Sequence, residues 1–455
     1  MLVAAPTTRT HLGIWHILPP RTSRTRSLWP IPAGIRISFC LLVAVAYSTI
    51  VLGITLVRSL IARTVTKAAR RDRHHEAWGT APHQSAQSGC ESILVLTAPV
   101  GAGHRSTAQA IRRDLLRDGA HRVTIAEPLL NDPAFAQIPR LYRLATVYLP
   151  ALWVAIYYGR RLPLIRFVYS RTVRRRLRRQ LSRLDLRSYD TIVITYSMYC
   201  HCLADLGAFG AQTVVLITDL FGGPPDWFLP GAHKYIAPTH VMERTALERG
   251  IPSERILVRR LPTLCSRRPL GNRWGVEQAS ELRVLVIGGS AGVGPLEAAM
   301  RGLARANRHT SVSVVCGHNK RLRARIVRSN GQVKTLGFVD TMADRWQDFD
   351  LVVTKPGSVT LMELFDAEIP FILMPGIPGI EAGNSYALKR DTLPEIGGVD
   401  RAQRVIESFI HEDLSLSTLG QRWMASLVSL RDALPANRLT LAELARSAPP
   451  VLIRK

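Results

Sequence analysis

Acidic residues are scarce in this chain: 34 Asp and Glu stand against 60 Lys and Arg, leaving a formal charge of +26. Such an excess needs a polyanion or an anionic surface, so nucleic acid, acidic membrane and phosphorylated substrates all stay open. Cysteine is scarcer still. Six in 455 residues exclude a disulfide-held mini-domain and suit a reducing compartment. No sequence repeat runs through the chain. At 47% hydrophobic residues it can bury a large core, which excludes a disordered basic tail protein. At about 150 residues per domain, two or three folded units are expected.

The basic excess is local. Residues 1–90 carry +9 and residues 160–187 carry +10, together 19 of the 26 charges. The first block brackets an apolar run. Between Arg36 and Arg58 lie 21 uncharged residues (37–57) without a polar face, long enough for a transmembrane helix. A cleaved signal peptide fits less well, because the run starts late and lacks a small-residue exit. Positive-inside counting favours a single-pass anchor with the body on the cytoplasmic face. Residues 74–90 are small and polar and read as a linker, so 1–90 forms an anchor region.

The second block interleaves leucines and valines with Arg174, Arg175, Arg178 and their neighbours. It follows an uncharged aromatic run (144–158) that contains Trp153 and is broken by Pro150. Two readings stay open: a membrane-interface helix on anionic headgroups, or a solvated helix with its leucine stripe on the body.

From Glu91 onward, short β-rich runs alternate with helical patterns. Strands are expected at 92–98, 122–127, 190–196, 213–219 and 234–238. After an irregular connection at 266–281 the pattern restarts at 282–290, 311–317, 333–338, 350–357 and 370–376. Buried strands between helices imply parallel sheets, hence an α/β fold of two doubly wound Rossmann-like domains, 91–265 and 282–455, with ligands at the carboxyl ends of strands in the cleft between them.

Four turns carry candidate chemistry. The first, Gly101-Ala102-Gly103-His104-Arg105-Ser106, lacks the third glycine of a dinucleotide fingerprint and the lysine of a Walker loop. Its His104 opens a helix, where the positive helix end disfavours imidazolium. The residue fits a general base or a capping histidine. The second turn, Gly288-Gly289-Ser290-Ala291-Gly292, suits a diphosphate, although tight packing also demands glycine. The third, Lys355-Pro356-Gly357-Ser358-Val359-Thr360, precedes Glu363, which fits a ribose-binding carboxylate or a capping box. The fourth, Pro378 to Asn384 with Glu381, can hydrogen-bond sugar hydroxyls or be an ordinary loop. Cys200-His201-Cys202 is not read as a metal site: adjacent residues of a strand point apart, and no second cluster has zinc-like spacing.

Taken in order, GAGHRSTAQAI, TDLFGGPPDWFLP, GGSAGVGPLEAA, VVCGHNKRL, LGFVDTMADRWQDFDLVVTKPGSVT and PGIEAGN resemble the monogalactosyldiacylglycerol synthase and processive diacylglycerol glucosyltransferase group, relatives of the lipid II N-acetylglucosaminyltransferase. The resemblance covers about two-thirds of the chain, from Ile93 to Leu388. It implies a GT-B fold and an inverting hexosyltransferase that uses a UDP-sugar, with no permanently bound cofactor and no obligatory metal. By position, His104 would deprotonate the acceptor hydroxyl. Gly288, Gly289, Ser290 and Gly292 would hold the diphosphate. Gly317, Asn319, Phe338 and Val339 would line the nucleotide pocket. Pro356, Gly357, Thr360 and Glu363 would hold phosphate and ribose, and Glu381 and Asn384 the sugar. Gly101, Gly103, Asp219, Trp227, Trp153, Arg174, Arg175 and Arg178 would face the lipid acceptor and the membrane. Two stretches depart from the galactolipid pattern. Pro224-Pro225-Asp226-Trp227 replaces a His-containing stretch, and Ile380 stands where Gln commonly precedes the Glu.

The expected activity is hexose transfer from a UDP-sugar to a membrane lipid, diacylglycerol, with anionic lipids as further partners. The alternatives are N-acetylglucosamine transfer to a polyprenyl-linked acceptor, or a catalytically silent nucleotide-sugar sensor or scaffold. Nucleic-acid binding is disfavoured, because no such motif is present.

Overall fold

The computed structural model describes residues 91–159, 162–207, 210–265, 282–306, 310–329, 333–379, 381–389, 434–435 and 437–445. The apolar span 37–57, the connection 266–281, Ile380 and most of the C-terminal segment lie outside the described residues. Among those described, no helix is long and apolar enough to cross a membrane.

Two parallel sheets form. The first holds β1 (Ser92–Leu96), β2 (Arg122–Ala126), β3 (Thr191–Ile194), β4 (Gln212–Leu216), β5 (Lys234–Ala237) and β6 (Ile256–Val258), in the order β2-β1-β3-β4-β5-β6. The second holds β7 (Leu282–Ile287), β8 (Thr310–Val315), β9 (Lys334–Leu336), β10 (Leu351–Thr354) and β11 (Phe371–Leu373), in the order β11-β10-β7-β8-β9. Both orders reverse direction beside the first strand, which leaves a crevice at the carboxyl ends of β1 and β3 and of β7 and β10. Each central strand is buried on both faces, as at Ile93 to Leu96 and Val284 to Ile287. That explains their uninterrupted apolar sequence. Ten of these strands coincide with the expected runs, β4 and β8 starting one residue earlier. The eleventh, β6, is three apolar residues between charged flanks and carries too short a signal to read.

Helix α1 (Gly103–Arg117) buries Thr107, Ala108, Ile111 and Leu115 on one face and stops at Gly119, whose φ is +99°. The aromatic run becomes two helices, α2 (Ile138–Tyr148) and α3 (Pro150–Gly159), broken at the proline. The arginine-rich block is α4 (Pro163–Leu181). Helix α5 (His240–Glu248) is capped by the Thr239 side chain, which accepts from the Met242 N–H. In the second half, α6 (Leu296–Ala306) and α7 (Lys320–Ser329) flank β8, and α8 (Ser358–Ala367) and α9 (Ala382–Lys389) follow β10 and β11.

One apolar cluster runs through both halves, joining Ile111 and Leu115 of α1 to Leu361 and Phe365 of α8. The chain also returns. Arg259 pairs with Glu443, the Arg260 N–H donates to the Asn437 carbonyl, and Lys234 donates to the Glu443 carbonyl. Residues 437–443 are thereby attached to the first sheet.

Candidate functional site

Gly101 takes φ +77°, a value that favours glycine, and turns the chain from β1 into α1. His104 then lies in the first helical turn. Its Nδ1 is 2.8 Å from the Thr195 carbonyl oxygen and 3.2 Å from Thr218 Oγ1, just past the ends of β3 and β4. A carbonyl only accepts, so Nδ1 carries the proton and Nε2 keeps the lone pair. Burial pulls the imidazole down to about 4, partly offset by the bond to Thr195. The ring is neutral, and burial rather than the helix end is the main cause. Tyr196 stacks edge-on at 5.0 Å.

Asp219, after β4, accepts from Trp227 Nε1 at 2.7 Å. Burial raises its carboxyl to about 7, with the Glu381 charge adding to the effect. A Cβ on Gly223 would stand 2.6 Å from Asp219 Oδ2, so the glycine is required for the backbone to pass. Trp227 is 1% exposed. It is expected at the acceptor; the structure has it within the core, holding Asp219.

In the second half, the glycine turn after β7 packs on itself. Gly292 has φ +60° and a Cβ there would meet the Cys316 carbonyl oxygen at 2.2 Å, while one on Gly317 would meet that of Ser290 at 2.3 Å. Asn319 uses its side chain locally: Oδ1 accepts from the Leu322 N–H and Nδ2 donates to the Gly292 carbonyl. Gly317 and Asn319 therefore brace the turn. Phe338 is exposed and stacks on His318 at 4.2 Å, whereas Val339 packs against the core. A cavity of about 280 Å³ opens between α2 and this turn, lined among others by Thr146, Gly292, Asn319, Arg301 and Arg325.

The third turn is not a capping box. Gly357 is the N-cap of α8 and makes no side-chain bond, and Glu363 lies deeper in the helix. It is buried, accepting from Trp346 Nε1 at 3.3 Å and from Ser106 Oγ of α1 at 3.4 Å. Burial raises its carboxyl to about 7 against the pull of those donors. Thr360 sits one turn earlier, partly buried.

Glu381 forms an ion pair with Lys355 and accepts from the Ile377 N–H at 2.8 Å. Asn384 donates to the Pro356 carbonyl at 2.8 Å and to Ser358, and accepts from the Phe221 N–H at 3.2 Å. The fourth turn thus ties the third turn to the first half of the chain. Gly103 meets Val359 at the same junction.

Trp153 is half-buried. Its Nε1 donates to the Pro378 carbonyl at 3.1 Å, and Tyr157 lies where a Cβ on Gly379 would fall, at 2.4 Å. The aromatic face of α3 therefore covers the fourth turn. Beside it, the Tyr142 hydroxyl is pushed far up by burial and by the charges of Glu381 and Asp219. Sequence reading gave Lys355 and Ser106 no role beyond membership of their turns and passed over Tyr142 and Tyr157, because their neighbours at the site come from elsewhere in the chain.

Helix α4 divides in two. Val173, Leu177 and Leu181 are buried, while Leu164 is 74% and Phe167 59% exposed. Arg174 and Arg178 share Asp205 at 3.1 and 3.8 Å, and Arg176 pairs with Asp132. Two arginines assigned to lipid headgroups thus have protein partners, whereas Arg175 is exposed. Cys200-His201-Cys202 lies in a 3-10 helix (Ser197–Cys202), not the strand expected. His201 is held by Ser170 at 3.0 Å and faces Asp226 at 3.6 Å. Among the described residues no group of three or more His, Cys, Asp or Glu could hold a metal.

Residues 283–378 match the glycosyltransferase family 28 C-terminal domain. The chain is 28% identical to monogalactosyldiacylglycerol synthase 1 of Arabidopsis thaliana over 322 residues, 65% of this chain and 60% of that protein. It is 22% identical to the processive diacylglycerol beta-glucosyltransferase of Bacillus cytotoxicus, over 64% of this chain and 78% of that one. A crystal structure of Anabaena Alr3699/HepE with UDP and glucose aligns over 75% of this chain and 97% of that chain, at 16% identity and a TM-score of 0.43. The resemblance carried by the turns to the monogalactosyldiacylglycerol synthase and processive diacylglycerol glucosyltransferase group therefore stands. The chain spans about three-fifths of the length of the first curated relatives it matches.

Proposed function

We propose that this chain is a membrane-associated GT-B glycosyltransferase that moves a hexose from a UDP-sugar to diacylglycerol with inversion at the sugar carbon. The observation that carries the reading is His104. A neutral ring, fixed by a carbonyl on Nδ1, leaves an unprotonated Nε2 lone pair at the carboxyl edge of the first sheet, open to the acceptor's proton. The names of the relatives, galactolipid and glucolipid synthases, supply the substrate classes.

In this scheme residues 91–265 bind the acceptor and 282–455 bind the donor. The acceptor hydroxyl gives its proton to His104 Nε2 and attacks C1 of the sugar. The C1–oxygen bond to the diphosphate breaks, and its electron pair leaves with UDP. Backbone N–H groups at the Gly288–Gly292 turn meet the growing charge. Glu363 accepts the ribose hydroxyls in place of Ser106. Glu381 and Asn384 stand at the sugar, with Asp219 and Tyr142 nearby.

Leu141 and Leu144 of α2, Leu149 just after it, and Leu164, Phe167 and Val168 among the arginines of α4 are exposed apolar residues. An apolar face ringed by cations suits an anionic cytoplasmic leaflet, and a diacylglycerol acceptor hardly leaves the bilayer. The 37–57 span would anchor the chain on that side.

The test is an assay of membranes containing the protein with labelled UDP-glucose, UDP-galactose and UDP-N-acetylglucosamine, with products identified by mass spectrometry. A labelled hexosyl-diacylglycerol is expected. Label on a polyprenyl-linked product would replace the acceptor, and no labelled lipid from any donor would favour a silent nucleotide-sugar sensor.

A further inference from the structure

Lys355 follows β10 directly and lies against the glycine turn of β7. A Cβ on Gly289 would stand 2.9 Å from its Cε, and one on Gly357 would stand 3.2 Å from its Nζ. Its ammonium pairs with Glu381, and the two side chains are only 15% and 7% exposed. The other oxygen of Glu381 is anchored by the Ile377 N–H at 2.8 Å. The carboxylate is therefore fixed, and the lysine, on a flexible four-carbon stem, is the partner able to move.

We propose that Lys355 is a ligand of the donor's diphosphate, held by Glu381 while the cleft is empty and transferred to the phosphate oxygens when the donor enters. The inference rests on the donor site placed at the Gly288–Gly292 turn. A glycine turn offers backbone N–H groups, each with a fraction of a charge. A leaving nucleoside diphosphate gains a full negative charge as the C1–oxygen bond breaks and the electron pair passes to the β-phosphate oxygen. An ammonium already lying on that turn supplies the matching charge without large reorganisation. The exchange also frees one Glu381 oxygen for a sugar hydroxyl, so diphosphate and sugar recognition are linked through one ion pair.

The experiment is calorimetric titration of UDP, UMP and uridine into the full chain and into Lys355→Gln, Lys355→Arg and Glu381→Gln. The wild type should prefer UDP to UMP. Lys355→Gln should weaken UDP by about tenfold or more, a loss of one charge-assisted contact, while uridine binding stays unchanged. Lys355→Arg should keep the preference for UDP. Glu381→Gln, which releases the ammonium, should bind UDP as well as the wild type or better. Equal losses for UDP and uridine in Lys355→Gln, an unchanged preference for UDP in that variant, or a fall in UDP affinity in Glu381→Gln as large as that in Lys355→Gln would each overturn the assignment. If the wild type does not bind UDP, the donor site itself fails and the assignment with it.

Discussion

Ser106 and Glu363 lie 257 positions apart and meet at 3.4 Å, hydroxyl to carboxylate, across the junction of the two sheets. Ser106 stands in the first turn of α1 and Glu363 midway along α8, each helix following a strand. The pairing places the first and third turns at one site. It also gives a buried carboxylate a partner, beside Trp346 Nε1.

If Glu363 exchanges Ser106 for a ribose, Glu363→Ala should weaken UDP binding by about tenfold or more, since hydrogen bonds to a charged group contribute about 1.5–3 kcal/mol. Ser106→Ala should leave UDP affinity within a few-fold of the wild type. Calorimetric titration measures both. An unaltered affinity in Glu363→Ala would remove this residue from the ribose site.

The same carboxyl sets a pH dependence. Its folded value is raised from the ordinary carboxylate range to about 7, so the native state binds its proton more tightly than the unfolded chain does. Stability from this group is present below the unfolded value and falls as pH rises through the window from about 4.5 to about 7. Asp219, also raised to about 7, acts in the same direction. Glu363→Gln should therefore melt higher than the wild type at pH 8, and the gap should close by pH 5. A constant difference across that range would contradict the assignment.

Two turn positions should respond in opposite directions. Gly292→Ala places a Cβ 2.2 Å from the Cys316 carbonyl at φ +60°, and should destabilise by about 1–3 kcal/mol. Glu368 ends α8 at φ +55°, and Glu368→Gly should stabilise by up to about 1 kcal/mol. Urea unfolding midpoints check both, and equal signs for the two would be inconsistent with the backbone described.

Membrane contact divides between charge and apolar surface. Arg175→Glu with Arg179→Glu should reduce binding to anionic vesicles more than about tenfold, at about 1 kcal/mol for each basic residue near the surface. Leu164→Asp with Phe167→Asp should reduce binding to neutral vesicles as well. Vesicle co-sedimentation measures both pairs. Binding equal to the wild type in all cases would return α4 to a solvated face.

Much of this architecture is legible in the chain itself. Strands buried on both faces have no polar alternation, so SILVL, TIVI and LRVLVI announce themselves, and the glycines after β1 and β7 mark where the turns lie. The partners are less legible. Lys355 reads as one residue of a turn until folding brings Glu381, 26 positions on, against it. Trp153 belongs to an uncharged aromatic run, and such a run reads the same whether it faces lipid or the Pro378 carbonyl. Arg174 and Arg178 form part of a cationic block in sequence, but Asp205 lies one helix away and takes both. Periodicity reports which face is apolar; it does not report what that face meets.

Proton transfer from the acceptor to His104 is checked by measuring hexose transfer by His104→Ala alongside its UDP affinity. Transfer should fall by about 100-fold or more, with UDP affinity close to that of the wild type. Turnover that survives the substitution unchanged would contradict that role for His104.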